Sequence, residues 1–127
     1  MTTVAIFNTS ADTVEALRVF LQQEGFETVT AHIDEIKRGL IDFVDFLERH
    51  DPRALVYDVA PPYDHNWTFL KLLRSSEAMR GRIVVITTTH KANLEKLVGP
   101  TEAIEIIGKP YDLRQVVATV KRALAKG

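Results

Sequence analysis

A chain of 127 residues, 46% hydrophobic and 26% charged with a net charge of -1, has the makeup of one globular domain. It is long enough to bury roughly two-thirds of the surface its unfolded form exposes. The near-neutral balance gives no electrostatic reason to expect nucleic acid as a direct ligand. The absence of cysteine excludes disulfides and thiolate metal sites and suits a reducing cytosol. The opening residues, MTTVAIF, form neither a basic segment nor an apolar stretch of signal-peptide length, and no run approaches the ~18 apolar residues of a membrane span. A cytoplasmic protein without membrane contact is expected.

Short β-rich runs alternate with helical periodicity five times, the pattern of βαβ units around a parallel sheet covered on both faces. The first strand is Val4 to Phe7, followed by a helix with Val14, Leu17, Phe20 and Leu21 on one face and Gly25 beyond its end. Phe26 to Ala31 is a more polar strand, suited to a sheet edge. Ile33 to Arg49 reads as one long second helix, with Gly39 as a break within it and Asp51-Pro52 ending it. Its apolar residues, Ile41, Phe43, Val44 and Phe46, cover a wider arc than one buried stripe requires, which leaves part of it for a partner. Ala54 to Tyr57 is a third strand ending at Asp58, and after VAPPYDHN a helix is expected from Asn66 or Trp67. Ile83 to Ile86 is a fourth strand ending at Thr87. A short helix carrying Leu94, Leu97 and Val98 stops at Gly99-Pro100. Ile104 to Ile107 is a fifth strand ending at Gly108-Lys109-Pro110, and the last helix has Leu113, Val116, Val117, Val120 and Leu124 on one face. One domain, residues 1–127, with a flavodoxin-like (βα)5 fold and a central five-stranded parallel sheet accommodates all of this.

In open parallel sheets, ligands bind beyond the carboxyl ends of the strands, where the strand order reverses. The residues that follow the apolar runs are Asn8 and Thr9, Asp58, Thr87 and Lys109. A carboxylate, a hydroxyl and an ammonium converging there suit an aspartyl-phosphate, with Asp58 as nucleophile and Thr87 and Lys109 on the phosphoryl oxygens. With these residues the chain resembles the receiver domain of bacterial two-component response regulators over nearly its whole length. Asp58 through Arg74 aligns without a gap on the family's phosphoacceptor loop and third helix, Thr87 on its switch hydroxyl and Lys109-Pro110-Tyr111 on its Lys-Pro-aromatic signature. The resemblance implies a cis peptide before Pro110. It implies signalling through protein contacts without substrate turnover, with a sensor histidine kinase or another signalling protein as partner. It also implies pairing of two copies through the face of the fourth helix, fifth strand and fifth helix.

The departures from that family are as informative as the matches. Asn8 and Thr9 stand where the family has two acids, which hold Mg²⁺ together with the phosphoacceptor carboxylate and a backbone carbonyl corresponding to that of Ala60. Asp58 is then the sole anionic ligand, so Mg²⁺ is expected to bind weakly and no other cofactor is expected. Phosphoryl transfer without a metal should be slow. Ile106 replaces the aromatic residue that reports the switch, and Thr88 a usually smaller neighbour of the switch hydroxyl. Between Ala31 and Pro52 there are roughly half a dozen more residues than the family spends there.

Three functions follow, in order of preference. The first is an atypical receiver, or pseudo-receiver, in which Asp58 and Lys109 form a structural ion pair and the domain works by protein contact. The second is a phosphorylatable receiver with Asp58 as acceptor. The third is a phosphate or small-molecule binder using the Asn8–Thr13 loop, against which stands the simpler role of Ser10 or Asp12 as a helix cap. Trp67 is expected in the core, Tyr63 over the pocket, and His32, His50, His65 and His90 on the surface or in loops, without metal-ligand spacing.

Overall fold

The computed structural model describes residues 2–8, 11–99, 105–108 and 112–126. In chain order they form β1 (Thr3–Asn8), α1 (Ala11–Gln23), β2 (Glu27–His32), α2 (Ile33–Lys37), α3 (Phe43–His50), β3 (Ala54–Val59), α4 (Tyr63–Arg74), a 3-10 turn (Glu77–Met79), β4 (Ile83–Thr88), α5 (Lys91–Val98), β5 (Glu105–Gly108) and α6 (Leu113–Lys126). The strands make one parallel sheet in the order β2-β1-β3-β4-β5. The polar strand read from Phe26 to Ala31 therefore lies at an edge, and the order reverses between β1 and β3.

Alternation along the strands divides the core into two layers. Phe7, Leu55, Tyr57 and Ile86 face α3, α4 and α5, packing with Leu47, Trp67 and Leu94. Val4, Ile6, Val56 and Val85 face α1 and α6, packing with Leu17, Leu21, Val116 and Val120. The central strands are buried on both faces, which is why they read as continuous apolar runs.

The long second helix does not form as one piece. Gly39 has φ +75°, a left-handed conformation that an α-helix cannot contain, and the segment splits into α2 and α3. Asp42 restarts the helix, its carboxylate accepting from the Asp45 amide at 3.0 Å. Phe43 and Phe46 then reach Phe7, with ring centroids 5.8 and 5.5 Å away. The wide apolar arc is thus mostly consumed by the core, and Leu40 and Val44 are its exposed remainder. A second correction concerns α4, which begins at Tyr63 and not at Asn66 or Trp67. Pro62 precedes it without a side-chain cap, so the usual polar start signal is missing.

At the amino ends of the strands one side chain ties three segments together. The Arg82 guanidinium donates to the carbonyls of Ala78 and Pro52, each at 2.7 Å, and to that of Leu47 at 3.5 Å. It also meets the Asp51 carboxylate at 2.8 Å. Asp51 is 82% exposed, so the ion pair adds little and the carbonyl contacts carry the stabilisation. Arg82→Ala is expected to lower the urea-unfolding free energy by roughly 2–4 kcal/mol. Arg82→Lys should recover only a minor part, because an ammonium cannot span the same acceptors.

Candidate functional site

The parallel register builds the site. Phe7 lies opposite Tyr57 and Asp58 opposite Thr87, so Asn8, Asp58 and Thr87 stand abreast at the carboxyl ends of three neighbouring strands, spanning the reversal of strand order. Each continues the set of residues facing α1 and α6. All three are buried, with exposures of 5%, 7% and 1% respectively. The Thr87 hydroxyl donates to Asp58 Oδ1 at 2.7 Å, a charge-assisted hydrogen bond. Thr88, one residue on, is fully buried, and its hydroxyl donates to the Val59 carbonyl at 2.8 Å.

The loop after β3 is held from an unexpected side. Asn66 lies one turn inside α4, and its carboxamide Nδ2 folds back to donate to the Ala60 carbonyl at 2.6 Å. The other end of that carboxamide, Oδ1, accepts from the Lys37 ammonium at the end of α2. Lys37 is in turn 5.4 Å from the centroid of the Phe69 ring, within cation-π range. A second tie crosses to the next loop, where the Tyr63 hydroxyl accepts from the His90 amide at 3.1 Å.

These contacts decide how well the site suits a divalent cation. The described donors there are the Asp58 carboxylate, the neutral Asn8 amide and an Ala60 carbonyl that already accepts from Asn66. Mg²⁺ gives up its water reluctantly and favours carboxylate oxygens, so this set does not fit it. No group of three or more His, Cys, Asp or Glu residues able to hold a metal occurs among the described residues.

The structure brings together Asp58, Thr87 and Asn8 from the residues singled out in the sequence. Thr9, Ser10, Lys109, Pro110 and Tyr111 lie outside the described residues, and with them the Asp58–Lys109 pair and the peptide before Pro110; of the expected Asn8–Thr13 loop, Asn8 ends β1 and Ala11–Thr13 belong to α1. Asp12 sits within α1 and so cannot be its N-cap. The cis peptide among the described residues is Pro61-Pro62. Ile106 is half-buried against the core and not fully enclosed. Trp67 is buried, as expected. His32 and His90 are helix-flanking and exposed, His65 is exposed on α4, and His50 is half-buried with its ring tilted 58° against Phe46, centroids 4.7 Å apart. Sequence reasoning missed Lys37 and Asn66, which are 29 positions apart and belong to no motif.

The fold and site can be set beside known proteins. No protein-family model matches the chain. It is 25% identical over its full length to the sensory transduction protein RegX3 of Mycolicibacterium smegmatis, and spans 52% of that relative. The chain therefore covers about half the length of the curated relative it matches. It superposes on chemotaxis protein CheY4 of Vibrio cholerae with a TM-score of 0.69 at 21% identity, covering 96% of this chain and 98% of that one. A response regulator from Thermotoga maritima gives a TM-score of 0.71 at 19% identity, covering 98% of each chain. This is the receiver fold of response regulators. The flavodoxin-like architecture expected from the sequence is thus observed, in the form these response regulators share. No helix among the described residues is long and apolar enough to cross a membrane.

Next to the Asp58 carboxylate along β3 lies a titratable neighbour. Burial first, and then the Asp58 charge, pushes the Tyr57 phenol well above its ordinary value of 10.0. In the unfolded chain the phenol ionises at that ordinary value, so between it and the higher folded value the unfolded state releases its proton first. The contribution to stability is intact below pH 10.0 and is lost as pH rises above it. Unfolding free energies across that range should fall for the native protein, and the Tyr57-dependent part of the fall should be absent in Tyr57→Phe.

Proposed function

We propose that the domain is an atypical receiver in two-component signalling, one that acts through protein contact and not through Mg²⁺-dependent phosphorylation. The observation that carries this reading is the buried row Asn8–Asp58–Thr87, in which a single carboxylate is flanked by a neutral amide and bonded by a hydroxyl. In such a row the carboxylate is satisfied by protein donors without a crowd of like charges to neutralise. Asp58 serves as a fixed structural anion and Thr87 as its donor. In this reading Lys109 has the role of ion-pair partner to Asp58. The domain's partner is a sensor histidine kinase or another signalling protein, and no substrate is turned over. Two copies can pair through α5, β5 and α6, where Leu97 is exposed.

A second reading draws on the Thr87–Asp58 hydrogen bond, since a hydroxyl already on the carboxylate is placed to bond a phosphoryl oxygen there. In it Asp58 accepts phosphate with a weakly held metal. The two readings differ in one measurement. Purified protein incubated with a small acyl phosphate and Mg²⁺ is expected to keep its unmodified mass. Stoichiometric gain of one phosphoryl group, absent from Asp58→Ala, would establish the second reading in place of the first.

A further inference from the structure

The contact between Asn66 and the Ala60 carbonyl raises a question that the loss of the acidic pair alone does not answer. Removing two carboxylates takes away attraction for a cation, but it also leaves a carbonyl at the mouth of β3 needing a partner, since an unpaired half-buried carbonyl is costly. In this chain the partner is an amide N–H at 2.6 Å, and that amide is itself polarised by an ammonium on its far oxygen. The ammonium comes from α2, the short helix that follows β2 and is separated from α3 at Gly39. Ile33 and Ile36 bury α2 against the core, which sets Lys37 on its exposed side, next to Asn66 and Phe69. Positive charge thus reaches the Ala60 carbonyl through one carboxamide, from a part of the chain where the receiver family has fewer residues.

We propose that Lys37 and Asn66 together stand in for a divalent cation on the Ala60 carbonyl, holding the loop after β3 in its ordered shape without metal. This rests on the functional reading above, in which the domain works without Mg²⁺, and adds a cause for it. Lys37 and Asn66 are positioning residues, since neither touches the Asp58 carboxylate in any contact seen here. The acidic pair at positions 8 and 9 and the amide at position 66 then compete: acids at the strand end attract a cation, while Asn66 occupies one of the oxygens the cation would use. Their effects on metal affinity must therefore be coupled and not independent.

The test is a titration of the whole chain with Mg²⁺ by isothermal calorimetry, in four forms: native, Asn8→Asp with Thr9→Asp, Asn66→Ala, and all three substitutions together. The native protein and Asn66→Ala are expected to bind weakly, because each has a single carboxylate. The triple variant is expected to bind about 10-fold or more tighter than the two-acid variant, the scale on which partners of metal ligands act. Lys37→Met in the two-acid background should give a smaller gain in the same direction, since it loosens the carboxamide without removing it. A parallel reading that does not depend on calorimetric heats is the Mg²⁺-induced rise in melting temperature, which should be largest in the triple variant. If Asn66→Ala does not fold, Asn66→Ser removes the same reach to the carbonyl while keeping a polar side chain. Equal Mg²⁺ affinity in the two-acid and triple variants would overturn the inference and leave the functional reading standing. Tight binding by the native protein, with phosphorylation of Asp58, would instead overturn the functional reading.

Discussion

Burying a carboxylate at the end of a central strand obliges its surroundings to supply donors, and the upper face of this domain is organised by that obligation at Asp58. The strand register sets two polar neighbours beside it: β1 offers Asn8 and β4 offers Thr87. Thr87 answers directly. Even the opposite layer feels the charge, because the Tyr57 phenol is kept protonated by its burial and by the anion next to it. The packed core fixes where these groups are, and the chemistry follows from there being one charge among them.

Much of this organisation was legible in the sequence because it follows from strand burial. Apolar runs such as Ala54–Tyr57 and Ile83–Ile86 announce strands covered on both faces, and the polar residue that ends each run marks the level of the site. The split of the second helix was less legible, since Ile33, Ile36, Leu40, Phe43 and Leu47 keep helical spacing straight across Gly39. Only the positive φ at that glycine shows the interruption to be a real break. The start of α4 was hidden for the opposite reason. The stretch Pro61-Pro62-Tyr63-Asp64 is rich in turn residues, yet the helix starts inside it with no side-chain cap to mark the place. The Lys37–Asn66–Ala60 relay was invisible, because it joins residues of ordinary composition through tertiary placement alone.

The two loops beside Asp58 are bound in different ways, with consequences for which can move. The loop after β3 is tied to α2 through Asn66 and to the loop after β4 through Tyr63. At the end of β5 the tie is steric. A Cβ added to Gly108 would come within 2.8 Å of the Lys91 Cβ, so the absence of a side chain there is what lets the first turn of α5 close onto the strand. The strand that leads into Lys109 and the helix that follows β4 are therefore packed as one unit.

The Arg82 clamp gives the domain two ends of unlike character. Around it, backbone carbonyls from α3, the 3-10 turn and the segment before β3 converge on a single guanidinium, so any lengthening of those connections must break several bonds at once. At the other pole a short helix, α2, follows β2 directly and joins α3 through the left-handed turn at Gly39, outside the five-stranded sheet. One pole acts as a foundation and the other as a plot on which evolution can build. A designer adding a sensor loop or a reporter to this domain would place it beyond β2, at the exposed turn around Gly39 that no strand pairing or guanidinium clamp holds.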